Sequence, residues 1–354
     1  MALFVDISGG AGGAGDVSGA GWARIVAVQE PSCGLRAVIV LHSLARGPAF
    51  GGIRRRRYAS EDAALDDARM LAEAMSLKCA LAELDAGGGK TVILDHEGLD
   101  RPRAYEALGR AIEELGGRYV CGPDVGTGSA ELDALRRATS HVNPAQNDAG
   151  RSTAAGVLAG LRGLSQVVFG DETLGGRRYV IQGLGAVGGA LAAALVAAGG
   201  EVAGWDPDLH ARERAAAVGV RLLEDGAAAL REPCEVFMPC ALGGVLDAQT
   251  CAAAPWRAVC GSANNQLDAA TGARAEQTLH ERGIAWAPDF VVSAGAVIEG
   301  VETVLGEGEG ARARVVEKIE ATAERCAAIL EAARAENRPP RQVALARAWA
   351  AVAG

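Results

Sequence analysis

Two lysines sit in contexts that an ordinary solvated lysine does not need. Lys78 ends the run Met75-Ser76-Leu77-Lys78, and Lys90, twelve residues on, follows three glycines in Gly87-Gly88-Gly89-Lys90. Glycines before the apolar Thr91-Val92-Ile93-Leu94 suggest a backbone with unusual torsions and a lysine side chain entering a cleft. A partly desolvated ammonium beside a second cation gives up its proton more easily. Lys90 is therefore a candidate base near neutrality, with Lys78 as the positive partner. The loop Gly122-Pro123-Asp124-Val125-Gly126-Thr127 puts a carboxylate on a rigid turn, although Asp124 is equally suited to capping a following helix. Further on lies Val180-Ile181-Gln182-Gly183-Leu184-Gly185-Ala186-Val187-Gly188-Gly189, a cradle for a dinucleotide. Cations, a carboxylate and such a cradle are the equipment for moving a hydride to or from a carbon bearing a carboxylate and an amine.

The glycine motif is weak evidence alone, but here it follows an apolar strand, opens a helix and meets Asp206 23 residues after Gly183. Gly183 permits the tight turn, Gly185 admits the pyrophosphate to the backbone, and Gly188 lets helix and strand pack closely. The helix N-terminus at Ala186-Val187 offers N–H groups to phosphate. Asp206 suits a ribose diol and repels a 2′-phosphate, which favours NAD over NADP; Arg212 and Arg214 nearby soften that preference.

The elements that must position these groups follow from patterning. Ser60 caps a helix over 61–83 with an acidic first turn. Residues 36–41 and 91–94 read as buried strands, 103–115 as a helix, and Tyr119-Val120 as a further strand. Residues 8–20, mostly Gly, Ala and Ser, read as a loop. From about 152, helices alternate with short apolar strands at 178–182, 201–205, 236–239, 258–260 and 284–287, which predicts a parallel doubly wound sheet. One long helix is expected over 312–334, before the breaker Pro339-Pro340.

The chain has 354 residues, enough for two domains, and a net charge of −9 that argues against non-specific nucleic-acid binding. The local exception, Arg54-Arg55-Arg56-Arg57, reads as an ion-paired strand end, with an anion contact as the rarer alternative. The 8 cysteines form no CxxC pair and have no histidine at zinc spacing, so no metal is expected. With no signal sequence and no membrane-length apolar run, a cytoplasmic protein without membrane contact is expected.

Several segments, in order, carry a resemblance. They are Gly47-Pro48-Ala49-Phe50-Gly51-Gly52-x-Arg54, the two lysine motifs, Gly122-Pro123-Asp124-Val125, the glycine motif, Pro239-Cys240-Ala241-Leu242-Gly243, Gly261-x-Ala263-Asn264-Asn265 and Ala287-Pro288-Asp289-Phe290. Together they resemble the leucine/phenylalanine/valine dehydrogenase branch of the amino-acid dehydrogenase family, over roughly residues 35 to 300. The resemblance implies an α/β fold. A mixed substrate-binding and oligomerisation domain spans 1–150, and helices from about 320 to 354 pack back on it. An NAD-binding Rossmann domain spans 151–319, with the active-site cleft between the two. It assigns Lys78 and Asn264 to the substrate carboxylate, Lys90 to activating water and Asp124 to shuttling protons at the substrate nitrogen. Gly51 and Gly52 line the polar end, and Thr153, Cys240 and Ala241 lie beside the nicotinamide and its ribose. The implied reaction is reversible oxidative deamination of an L-amino acid through an imine to a 2-oxo acid and ammonia, in a homo-oligomer.

The side-chain pocket corresponds to Phe50, Gly122, Val297 and Gly300. Gly122, Gly300 and Ala86 are small and open room, and Phe50 offers a stacking face, so a bulky, aromatic side chain is favoured. Alternatively Phe50 fills the space and the substrate is leucine or valine. Ser293-Ala294-Gly295-Ala296 departs from the family's Asn-Ala-Gly-Gly, leaving open an unusual amino acid or 2-oxo acid of secondary metabolism. An inactive cofactor-binding sensor should have lost Lys78, Lys90 or Asp124, and none is lost.

Overall fold

The run Leu35–Leu41 (LRAVIVL) has six of its seven positions buried, as a strand covered on both faces requires. In the computed structural model, which describes residues 3–6, 22–306 and 310–353, it is the third strand of a mixed six-stranded sheet. The predicted loop at 8–20 lies outside the described residues. The strands are β1 (Leu3–Asp6), β2 (Arg24–Glu30), β3 (Leu35–Leu41), β4 (Ala49–Arg56), β5 (Gly87–Leu94) and β6 (Tyr119–Pro123), in spatial order β1-β2-β3-β5-β4-β6. The β1, β2, β3 and β5 neighbours pair antiparallel, whereas β4 runs parallel to both β5 and β6.

Alternation along β3 sorts its side chains. Ile39 and Leu41 join Ile93, Tyr105, Leu108 and Tyr119 on one face. Val38 and Val40 join Val92 with Ala64, Ala68 and Ala72 on the other. Burying Ile39 and Val40 completely contributes about 1.5–3 kcal/mol each. The alanines recur every fourth residue on α1 (Glu61–Leu81), so that helix presents a flat stripe to the sheet. Ser60 caps α1 by accepting from the Ala63 N–H at 3.1 Å. Helix α2 (Arg101–Glu113) covers the opposite face, and α3 (Ser129–Arg136) packs on α2.

After α4 (Ala149–Phe169) the chain builds its second sheet. Its elements are β7 (Arg178–Gln182), α5 (Ala186–Ala197), β8 (Glu201–Trp205), α6 (Leu209–Ala217), β9 (Arg221–Leu222), α7 (Gly226–Arg231) and β10 (Cys234–Pro239), then α8 (Ala248–Ala253), β11 (Trp256–Val259), α9 (Gly272–Glu281) and β12 (Ala285–Trp286). All strands are parallel, in the order β12-β11-β10-β7-β8-β9. This is the doubly wound dinucleotide-binding order, whose switch point falls between β7 and β10.

The remaining helices are α10 (Asp289–Val292), α11 (Gly295–Leu305), α12 (Ala311–Glu320), α13 (Thr322–Glu336) and α14 (Pro340–Ala353). The single helix expected over 312–334 is thus two, broken at Ala321. Contacts divide the chain into two units. The first runs through Asn147 and gains segments beginning at Gly300 and Arg347; the second holds Asp148–Glu299 and the stretch ending at Ala346. The expected return of residues 320–354 to the first domain is corrected here. Helix α13 lies on α4 in the second unit, where the Cα of Gly163 comes too close to Ala323 O for any side chain, and only the end of α14 joins the first unit. No described helix is long and apolar enough to cross a membrane.

Candidate active site

Three parallel neighbours, β5, β4 and β6, bring the first group of predicted residues together. Gly52 on β4 pairs with Gly122 on β6, and Val40 pairs with Lys90. Lys90 is 6% exposed, and its Nζ lies 2.5 Å from Asp124 Oδ2. Gly52 makes the space for this pair: a Cβ there would stand 2.8 Å from Asp124 Cβ and 3.3 Å from Lys90 Nζ. Asp124 does not cap α3, whose N-cap is Gly128.

Burial pushes the Lys90 amine below its ordinary value and outweighs the opposing attraction of Asp124; Arg54 pushes in the same direction as burial. Burial also raises the Asp124 carboxyl, but Lys90 and Arg54 reverse the sign and hold it below the usual carboxylate range. The cation sharing Asp124 Oδ2 with Lys90 is Arg54, through Nε at 3.1 Å. Arg54 is thus a second cation beside Lys90 that the sequence reading did not name in that role. Lys78 is half-buried near the end of α1, two residues beyond Ser76. Two more of the run are ion-paired, Arg55 with Asp95 at 2.8 Å and Arg57 with Glu97 at 3.4 Å, while Arg56 lies over the Tyr58 ring.

The triple glycine has a different reason from the one expected. None of Gly87, Gly88 and Gly89 has a positive φ; all three lie inside β5, and each permits a close approach. A Cβ on Gly87 would overlap Ser43 O, one on Gly88 would overlap Ser76 N, and one on Gly89 would stand 3.0 Å from the Tyr119 ring. Ser76 seals the junction, its Oγ accepting from Gly88 N–H at 3.0 Å and meeting His42 Nδ1 at 2.8 Å. Gly51 is needed likewise, because a Cβ would overlap Gly89 O, and its carbonyl accepts from Tyr119 OH at 3.0 Å.

Of the residues expected to line a side-chain pocket, Gly122 and Gly300 converge on Asn143, which the sequence reading missed. A Cβ at Gly122 would stand 3.6 Å from Asn143 Cβ, and one at Gly300 3.3 Å from Asn143 Oδ1. Asn143 is fixed by Arg136, which donates to its carbonyl at 2.7 Å, and by Asn147 Nδ2, which donates to its Oδ1 at 2.9 Å. Phe50 is buried on β4 and Val297 on α11.

In the second unit the glycine motif sits at the switch point. Gly183 has φ +99, and a Cβ there would meet Ala241 N at 2.7 Å. A Cβ on Gly188 would overlap Gly183 O. Cys240 N–H donates to Gln182 O at 2.8 Å, tying the loop after β10 to the end of β7. At Gly185 the situation reverses, because nothing lies within 4 Å of an added Cβ. The protein itself does not need that glycine, whereas a pyrophosphate lying against the backbone would. Helix α5 starts there with Ala186 exposed, Val187 half-buried and no side-chain cap, which leaves its N-terminal dipole for an anion. These residues fit a dinucleotide. Asp206 is oriented by accepting from Leu184 N–H at 2.7 Å and Asp208 N–H at 2.8 Å, bonds that leave lone pairs for a diol. Thr153 is half-buried on α4, and Asn264 is exposed in the loop after β11. Ser293, where the resemblance leads one to expect Asn, closes α10, and nothing in the structure explains the exchange. Among the described residues no group of three or more His, Cys, Asp or Glu is placed to hold a metal.

Comparison with known proteins agrees with both halves. Residues 23–141 match the family described as Glu/Leu/Phe/Val dehydrogenase, dimerisation domain, and residues 210–354 match Glutamate/Leucine/Phenylalanine/Valine dehydrogenase. The chain is similar to a valine dehydrogenase of Streptomyces coelicolor, 42% identical over 81% of this chain and 80% of that one. It is similar to a phenylalanine dehydrogenase of Bacillus thermotolerans at 36% identity, covering 80% and 76% of the two chains. The crystal structure of L-tryptophan dehydrogenase from Nostoc punctiforme superposes with a TM-score of 0.82 at 28% identity, covering 94% and 96%. A buried lysine of a mixed sheet paired with an aspartate, a dinucleotide cradle at a Rossmann switch point and these matches agree on one conclusion: the chain belongs to the Glu/Leu/Phe/Val dehydrogenase family, oxidoreductases acting on the CH–NH2 group of amino acids.

Proposed function

We propose that this protein catalyses NAD-dependent oxidative deamination of an L-amino acid with a bulky apolar, aromatic side chain, and the reverse reductive amination. The observation that carries the reading is the buried Lys90 amine 2.5 Å from Asp124 Oδ2, in the hollow left by Gly52. Lys78 and Asn264 bind the substrate carboxylate, and the backbone at Gly51 and Gly52 lines the polar end. A bound nicotinamide dinucleotide supplies the acceptor for the hydride from Cα. The resulting imine is attacked by water, from which neutral Lys90 takes a proton. Asp124 moves protons at the substrate nitrogen, and the carbinolamine collapses to 2-oxo acid and ammonia. Gly183 to Gly188, Thr153, Cys240 and Ala241 hold the dinucleotide. Asp206 favours NAD over NADP through its negative charge at the ribose.

The convergence of Gly122 and Gly300 on Asn143 supports a large side chain, with an amide at the far wall able to meet an indole N–H or a phenol. The aliphatic reading is favoured by burial of Phe50 at 5% exposure and by the similarity to valine dehydrogenases. A homo-oligomer is proposed from the match to a dimerisation domain, and a cytoplasmic site from 8 thiols that are all free. The test is NADH formation at alkaline pH on Leu, Val, Phe, Tyr and Trp. Turnover with Phe, Tyr or Trp well above Leu and Val supports the aromatic reading, and the opposite order replaces it with the aliphatic one. Silence across the panel, in protein that binds NADH, refutes the dehydrogenase reading.

A further inference from the structure

We propose that Arg54 is the positioning residue of the Lys90–Asp124 pair, one guanidinium gripping Asp124 and being braced from behind by Asp67 and Tyr58. Arg54 Nε donates to Asp124 Oδ2 at 3.1 Å, and its Nη1 reaches both Asp67 oxygens at 3.4 and 3.3 Å. Asp67 in turn accepts from Tyr58 OH at 2.5 Å. The chain of contacts runs from the loop after β4, through α1, back to β4 and on to the residue following β6. All four side chains are largely withdrawn from water, with Arg54, Asp67 and Asp124 between 15% and 20% exposed. The inference rests on the reading of Lys90 and Asp124 as the proton-transfer pair.

The brace has two consequences. It is geometric, because a planar fork held at two points fixes the carboxylate that Lys90 meets. It is also electrostatic, because a second cation on the same oxygen opposes protonation of Lys90. The charged groups facing Lys90 are Asp124 from the turn after β6, Arg54 from β4 and Asp67 from α1. On its other side β3 offers the apolar Val40, while His42 is held by Ser76. Tyr58 does not titrate in the working range, since burial and the bond to Asp67 hold its phenol far above its ordinary value. Burial opposes the charge of Arg54, but Asp124 and Asp67 outweigh it and keep the guanidinium charged.

The test compares the wild-type enzyme with Arg54→Gln, Arg54→Lys and Asp67→Asn, reading the acidic limb of kcat/KM for oxidative deamination. Losing the cation in Arg54→Gln moves that limb up by about one to two pH units. Arg54→Lys keeps the charge and leaves the limb within about half a unit, while kcat falls because the fork is gone. Asp67→Asn removes a negative charge and moves the limb down. A limb that stays in place in Arg54→Gln, with activity lowered equally at every pH, overturns the proposal. If Arg54→Gln does not fold, the downward shift in Asp67→Asn supports it and an unmoved limb there overturns it. The pH dependence of Lys90 reductive methylation, read by peptide mass spectrometry, gives the same midpoints without turnover. A wild-type enzyme silent on every amino acid therefore refutes the proposed function alone, and the methylation midpoints still decide the role of Arg54.

Discussion

Gly52→Ala places one methyl group in the hollow where Lys90 and Asp124 meet. The new carbon would lie 2.7 Å from Pro123 O, 2.8 Å from Asp124 Cβ and 3.3 Å from Lys90 Nζ. Gly52 needs no left-handed backbone, so the perturbation is purely steric. Relieving it moves the Pro123-Asp124 turn by roughly half an ångström, at the cost of an overpacked core, about 1–3 kcal/mol. For a unit of this size that is a fall in Tm of about 2–12 °C. Misplacing the pair costs more in rate than in stability, because proton transfer is sensitive to separations of this order; kcat falls about 10- to 100-fold. The assay is NADH formation at saturating amino acid, beside thermal unfolding and NADH binding by fluorescence. NADH affinity stays within about twofold, because no residue of the glycine motif is touched. Wild-type kcat with an unchanged Tm would show that the space at Gly52 does not position Lys90 and Asp124.

Gly185→Ala meets no protein atom, so Tm stays within about 2 °C while NADH titration shows binding weakened about tenfold or more. Gly300→Val crowds Asn143 and shortens the pocket; kcat/KM falls about tenfold or more for Phe relative to Val, measured with both substrates. Lys90→Met tests the burial of the amine. The folded value of Lys90 is depressed, so between that value and the ordinary 10.5 the unfolded chain binds more protons and stability rises with pH. Wild-type Tm therefore gains on Lys90→Met as pH increases through this window, in parallel melts, and a constant difference refutes the burial argument.

The parts of this fold legible in the sequence are those set by neighbours along the chain. The continuous apolar run in residues 36–41 announces a buried strand, Ser60 announces a helix start, and the spacing from Gly183 to Asp206 announces the cradle. The parts that were not legible depend on which strands lie side by side. Lys90 on β5, Gly52 on β4 and Asp124 in the turn after β6 meet through a strand order β5-β4-β6 that cannot be read from local patterning. That order is what brings Arg54 to Asp124. Asn143 carried no signal, because its partners Gly122 and Gly300 lie 21 and 157 residues away. The glycines of β5 were noticed for the wrong reason, since a run that permits unusual torsions and a run that permits contact look identical as letters. The helix pair after residue 310 was misplaced because an alanine-rich helix with charges on every side declares no preferred face.

The glycine lining of β5 also bears on how safely the protein can carry a weakly protonated amine. Such an amine is reactive towards aldehydes and sugars, which attack neutral lysines wherever they reach them. Each of the three glycines adds about 0.5–1 kcal/mol of ordering cost relative to alanine, so β5 has little tendency to form ahead of its neighbours. The strand holds together only when α1, Ser43 and Tyr119 close on it, and the same closure buries Lys90 and depresses its proton affinity. On a nascent or partly unfolded chain Lys90 is an ordinary, charged and unreactive lysine. The reactive form and the walls that shelter it arise in one event, so ageing by bulky reducing sugars, unlike modification by the much smaller formaldehyde, should spare this residue.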